Sequence, residues 1–118
     1  MKTLIKKARI TAGYTNVRRS RMAAIAFTDS GNVIASAHNR RVSGRPEWTE
    51  HAEDVLLQKL HKVKAFQRYQ HVNILVVRVL KRDGSLSLAK PCPECQRKLS
   101  KVNASVWYTT SNNTVEQL

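Results

Sequence analysis

Two short stretches decide how this chain is read: His51-Ala52-Glu53 and Pro91-Cys92-Pro93-Glu94-Cys95. Cys92 and Cys95 are its only cysteines. Their C-x-x-C spacing can offer two sulfurs to one tetrahedral ion from a single turn of backbone. A structural zinc site ordinarily takes four protein ligands, whereas a catalytic one takes three and keeps a position for water. With one C-x-x-C present, a third ligand has to be a histidine or a carboxylate. The histidines are His38, His51, His61 and His71. His51 stands out because Glu53 follows two residues later, where a helix is expected to begin. Zinc lowers the pKa of the water it binds to about 7, and an unligated carboxylate nearby can carry the released proton to a leaving amine. Two other readings of the cysteines stay open. One is a redox dithiol, which leaves His51 and Glu53 without a role. The other is a closed structural zinc site with a second histidine.

Outward from these stretches, the chain reads as α-β-β-α-β-α-β. Lys2 to Thr11 repeats Leu4, Ile5 and Ala8 at helical spacing, with Gly13 as the stop. Met22–Phe27 and Val33–Ala37 are strands about the turn Asp29-Ser30-Gly31-Asn32. His38 to Trp48 is expected to be a polar loop, and Thr49 the N-cap of a second helix. Ala52, Val55, Leu56, Leu60 and Val63 form that helix's apolar stripe. Lys62 to Gln70 is a basic connection. His71–Leu80, with Ile74-Leu75-Val76-Val77 unbroken, suits a central strand covered on both faces. Leu86-Ser87-Leu88 is a brief return. A third helix starts at the cysteines with Pro93 in its first turn, where the helix dipole is expected to lower the thiol pKa. Ser105–Thr110 is the last strand, and the sheet is left for the tail or a partner subunit to complete. The order predicts an α/β fold, a three-layer α/β/α sandwich with a mixed central sheet. Residues 1–118 are read as one domain.

The two motifs, in this order and with Pro91 before the first cysteine, resemble those of the zinc-dependent cytidine/deoxycytidylate deaminase superfamily. The resemblance covers most of the chain and implies the cytidine deaminase-like fold. It implies one Zn2+ held by His51, Cys92 and Cys95, with Glu53 as the catalytic proton carrier. It further implies that the Ala52 N–H holds the base carbonyl and that Asn39 contacts the sugar. Pro91 is counted with the substrate-binding residues. Trp48 is expected either to stack on a base or to close the core edge. Arg41, with Arg40 and Arg45, is expected to hold a phosphate, because the planar guanidinium fork suits bidentate contacts. The implied reaction is hydrolytic deamination of cytosine in a cytidine or deoxycytidine nucleoside or nucleotide. Alternatives are a base within single-stranded DNA or RNA, including transfer RNA, and a non-catalytic basic nucleic-acid-binding module on the same scaffold.

Composition narrows the partners. Twenty-one Lys and Arg against eight Asp and Glu give a formal net charge of +13. A small domain this basic attracts polyanions. Lys2, Lys6, Lys7, Arg9, Arg18, Arg19 and Arg21 all precede the first acid, Asp29, whereas Glu47, Glu50, Glu53 and Asp54 cluster at the first motif. No apolar run approaches the roughly 20 residues that span a bilayer, and the basic start has no apolar segment after it to make a secretory signal. Two cysteines in motif spacing fit a reducing compartment, so the expected location is cytoplasmic. A homo-oligomer is a possible assembly.

Overall fold

The computed structural model describes residues 2–15, 21–42 and 45–118; of 42 and 45–49 it describes the backbone. Helix α1 (Lys2–Ala12) ends where Gly13 donates its N–H to Arg9 O at 3.1 Å. Strands β1 (Arg21–Phe27) and β2 (Val33–His38) form an antiparallel hairpin, and Gly31 turns the chain with φ 91°. After α2 (Ala52–Lys62) and the four-residue α3 (Ala65–Arg68) comes β5 (Val72–Val79). Then follow β6 (Leu86–Ser87), α4 (Pro93–Ser100), β7 (Ala104–Thr109) and β8 (Val115–Gln117).

The main sheet runs β2-β1-β5-β7-β8, with β6 on the end of β5. It is mixed: β5 and β7 are parallel, and the other pairs are antiparallel. Residue parity on β5 divides the core. Val72, Ile74 and Val76 pack beneath α2 and α4, together with Leu56, Leu60 and Leu99. Leu75 and Val77 pack against Leu4, Ala8 and Ala12 of α1. Alanines at 23, 24 and 26 of β1 bring helices close on both faces. This is the three-layer α/β/α sandwich expected from the sequence.

Several details differ from expectation. The predicted loop from His38 to Trp48 contains a two-stranded ribbon, β3 (Arg40–Val42) and β4 (Arg45–Glu50). Arg40 opposes Glu50 in it, and their side chains pair at 3.2 Å. Thr49 lies in β4 opposite Arg41, so it does not cap α2; the N-cap residue is His51. Cross-strand pairing has taken the threonine that the cap would have used. Val63 lies just past the end of α2 and is exposed, so the buried stripe stops at Leu60. The tail supplies β8, which pairs with β7 and completes that side of the sheet.

The topology places the motifs. β2, β5 and β7 run in one direction, since β1 is antiparallel to both β2 and β5. Their carboxyl ends therefore lie at one end of the sheet. The chain leaves β2 to reach the start of α2, and leaves β5 to reach the start of α4. Both helices begin at that end, which is where open α/β sheets bind ligands.

Candidate functional site

His51 and Cys92 occupy equivalent places as the N-cap residues of α2 and α4. Each has extended backbone, with φ −71° and ψ 150° at His51 and φ −66° and ψ 162° at Cys92. Neither side chain caps its own helix, so each remains available to a ligand. Pro93 fixes the first turn of α4. Gln96 donates its Nε2 to Pro91 O at 2.8 Å, and its backbone N–H to Cys92 O at 2.8 Å. Gln96 thus holds two successive carbonyls at the first cysteine. One turn on, Cys95 is buried.

The two helix starts bring three donor atoms together. His51 Nδ1 lies 3.3 Å from Cys95 Sγ and 3.9 Å from Cys92 Sγ. All three donor atoms fall within 4.8 Å of one another. In a tetrahedral zinc site with ordinary Zn–S and Zn–N bonds, sulfur and nitrogen stand about 3.6 Å apart. The observed separations bracket that value, and one imidazole with two thiolates is a donor set suited to zinc. His38, His61 and His71 are not in the group. His38 Nδ1 pairs with Asn39 O at 2.9 Å, and His71 bridges Asp29 and Ser105.

Glu53 lies on the buried side of α2 at 2% exposure, a position the apolar periodicity would give to a hydrophobic residue. Its Oε1 has no hydrogen-bond partner among the described residues. Burial pushes its carboxyl above the ordinary range, opposed by a backbone N–H in the first turn of α2 and by nearby His51. Burial, with the Glu53 carboxylate next, also pushes the Cys95 thiol well up. Desolvation thus acts on that thiol against the lowering expected from the helix dipole. A bound divalent cation reverses this balance, because a coordinating thiol is deprotonated.

The remaining sequence candidates divide. Ala52 is fully buried in the first turn of α2, where backbone N–H groups have no helical acceptor. Pro91 is buried directly before Cys92. Asn39 is buried just past β2, and its Oδ1 accepts from Met22 N–H at 3.0 Å. Thr15 Oγ1 donates to the Asn39 carbonyl. Arg41 stands in β3, while Arg40 is taken up by Glu50. Trp48 and Arg45 belong to β4, and their side chains lie outside the described residues.

Two features near the site had no sequence signal. Lys98 Nζ reaches Asp54 Oδ1 at 2.9 Å, tying α4 to α2 one turn beyond the donors. Arg78, on β5, has a buried Nε without a partner. Nothing marks it out among 21 basic residues until the strand's parity is known.

Comparison with known proteins agrees with this geometry. The family model described as "Cytidine and deoxycytidylate deaminase zinc-binding region" matches residues 1–110. No curated protein matches the sequence. Among solved structures, the chain is similar to dCMP deaminase from the cyanophage S-TIM5, determined in complex with dCMP and dUMP. That match has 18% identity and a TM-score of 0.67, and covers 92% of this chain and 79% of that one. Cytidine deaminase from Mycobacterium leprae is similar at 16% identity and a TM-score of 0.66, covering 98% and 91%. Cytidine deaminase from Burkholderia pseudomallei is similar at 15% identity and a TM-score of 0.65, covering 99% and 90%. At these identities the structural likeness speaks for the fold, and the family model together with the His51, Cys92 and Cys95 group speaks for one zinc ion. The chain belongs to the cytidine and deoxycytidylate deaminase family.

Proposed function

We propose that the chain is a hydrolytic deaminase that converts the cytosine base of a nucleoside or nucleotide to uracil, releasing ammonia. The observation that carries this reading is Glu53: a buried carboxyl with an unpartnered Oε1 beside the His51, Cys92 and Cys95 donors. A carboxyl oxygen kept out of water without a partner is costly in a merely structural role, and the upward push of burial on this carboxyl suits a group that both accepts and returns a proton.

Zinc, when bound, supplies a Lewis acid that makes hydroxide available from water near neutral pH. The chain's residues do the rest. Glu53 takes one proton of the attacking water on its carboxylate and delivers it to the ring nitrogen; it then takes the remaining proton of the added hydroxyl, as the ring C=O forms and the C–N bond breaks, and gives it to the departing amine, which leaves as ammonia. Ala52 N–H, at the positive end of α2, holds the base carbonyl. Asn39 contacts the sugar, its side chain oriented by the bond from Met22 N–H. Pro91 borders the base, and Arg41 lies toward the substrate's polar end.

The test is ammonia release with mass identification of a uracil product. The substrates are cytidine, deoxycytidine, their monophosphates and single-stranded oligonucleotides. Wild type and Glu53→Gln run side by side with zinc quantified. Turnover by wild type alone supports the proposal; no turnover on any substrate by zinc-loaded wild type overturns it.

A second reading has its own support in the +13 charge, which favours a base within a polynucleotide through counterion release. Steep loss of oligonucleotide deamination with rising salt, alongside a flat response on deoxycytidine, favours the polymer. Equal salt responses remove that support.

A further inference from the structure

Among the described residues, two buried side-chain atoms lack a hydrogen-bond partner: Glu53 Oε1 and Arg78 Nε. The first serves the proposed reaction; the second has no part in it. Arg78 shares strand parity with Val72, Ile74 and Val76, which pack beneath α2 and α4. Val79, beside it, packs on the α1 side. The Arg78 side chain therefore leaves the sheet on the face that carries both motif helices. It does so at the carboxyl end of β5, the end where α2 and α4 begin.

Its neighbours tie it to the site. Across the sheet Arg78 pairs with Met22, whose N–H is bound by Asn39 Oδ1. On the other side it pairs with Ser87, three residues before the Lys90-Pro91 approach to Cys92. Its backbone N–H donates to Thr109 Oγ1 at 3.3 Å. Arg78 thus stands in the row of residues between Asn39 and the cysteine loop.

What the guanidinium lacks is an anion. No described acid forms an ion pair with it: Arg40 takes Glu50, Lys98 takes Asp54 and Glu94, and Arg82 takes Asp83. Arginine cannot shed its charge, and holding that charge partly out of water with an unmet donor is unfavourable unless an anion completes it. The anionic group of a nucleotide is its phosphate, which guanidinium donors match in geometry.

We infer that Arg78 receives a phosphate group of the substrate, so that the site selects a phosphorylated cytosine nucleotide unit over the bare nucleoside. The inference rests on the deaminase reading above and assigns the phosphate contact to a residue outside both motifs. The same chemistry comes from a mononucleotide's terminal phosphate or from a phosphodiester in a strand.

The test is equilibrium binding by calorimetry on zinc-loaded protein, without turnover. The ligands are deoxyuridine, dUMP and a uracil trinucleotide lacking terminal phosphates. Wild type is expected to bind at least one phosphate-bearing ligand about 10–100-fold more tightly than deoxyuridine, the range expected of a charge-assisted contact. Arg78→Met is expected to abolish that advantage with deoxyuridine affinity unchanged, and Arg78→Lys to retain part of it. A wild-type preference for dUMP names a terminal phosphate, and one for the trinucleotide names a phosphodiester. In wild type alone, inorganic phosphate is expected to compete with the phosphate-bearing ligand, which tests the contact without any variant. An equal phosphate advantage in wild type and Arg78→Met overturns the inference, as does wild type binding neither phosphate-bearing ligand more tightly than deoxyuridine. Failure of the deaminase reading appears separately, as absence of ammonia release from every cytosine substrate.

Discussion

Replacing Glu53 with glutamine separates the roles of its carboxyl. The side chain is 2% exposed, and Oε1 meets no donor among the described residues. A buried polar group without its hydrogen bond costs about 1–3 kcal/mol, and more when charged. Glutamine keeps the volume and shape and removes the charge, so part of that cost is recovered. We expect Glu53→Gln to be more stable than wild type by about 1–2 kcal/mol. For a chain of this length, that corresponds to a rise in Tm of roughly 4–8 °C. Deamination is expected to fall by about 10²–10⁴-fold, the contribution of a positioned proton carrier. Thermal unfolding and single-turnover deamination on the same zinc-loaded preparations read both quantities. A variant less stable than wild type would mean that Oε1 has a partner in the folded protein. One within tenfold of wild-type activity would mean that another group moves the proton. Either result refutes the reasoning.

Four further outcomes follow from the structure. Chelating the metal from wild type is expected to abolish turnover and lower Tm, because zinc at 100 times its Kd contributes about 2.7 kcal/mol; activity that survives with no zinc detected contradicts the site. Lys98→Met breaks a solvent-screened bridge between α4 and α2, so its urea midpoint should stay close to that of wild type, and a large drop would contradict this reading. Leu60→Ala, at a fully buried position beneath the sheet, should cost about 2–5 kcal/mol by urea titration. Asp29→Asn tests a pH dependence. Hydrogen bonds from Asn73, then His71, hold the Asp29 carboxyl below its usual value. A depressed pKa gives stability that is present above the unfolded value, near 3.9, and lost as pH falls through the folded one. The urea midpoint of wild type should therefore drop more steeply below about pH 4 than that of Asp29→Asn; parallel curves would deny the network that role.

The metal donors were legible because their chemistry is carried by residue type and spacing. Cys92 and Cys95 are the only thiols, and Glu53 follows His51 at the start of a helix whose apolar period is clear. The run Ile74-Leu75-Val76-Val77 likewise announced a strand buried on both faces. What the sequence hid was made by tertiary contact. The β3–β4 ribbon is short and polar and has Pro46 within β4, so alternation is no guide; the Arg40–Glu50 pair that accompanies it joins residues ten apart. β8 spans three residues and exists through its pairing with β7. The upward push on the Cys95 thiol is not legible in the sequence, because the dipole is visible in a helix start whereas burial and a carboxylate from α2 are not. Arg78 was lost among the basic residues, and only its place on β5 sets it apart.

The most direct test of the central claim is X-ray absorption at the zinc edge on the purified protein, with metal content measured on the same sample. The account predicts one zinc per chain, bound by two sulfurs near 2.3 Å and two lighter atoms near 2.0–2.1 Å. One lighter atom is the His51 nitrogen and the other comes from solvent. The Cys95→Ser variant should lose a sulfur from that shell. A protein that binds no zinc, or one whose sulfur shell is unchanged in Cys95→Ser, would contradict it.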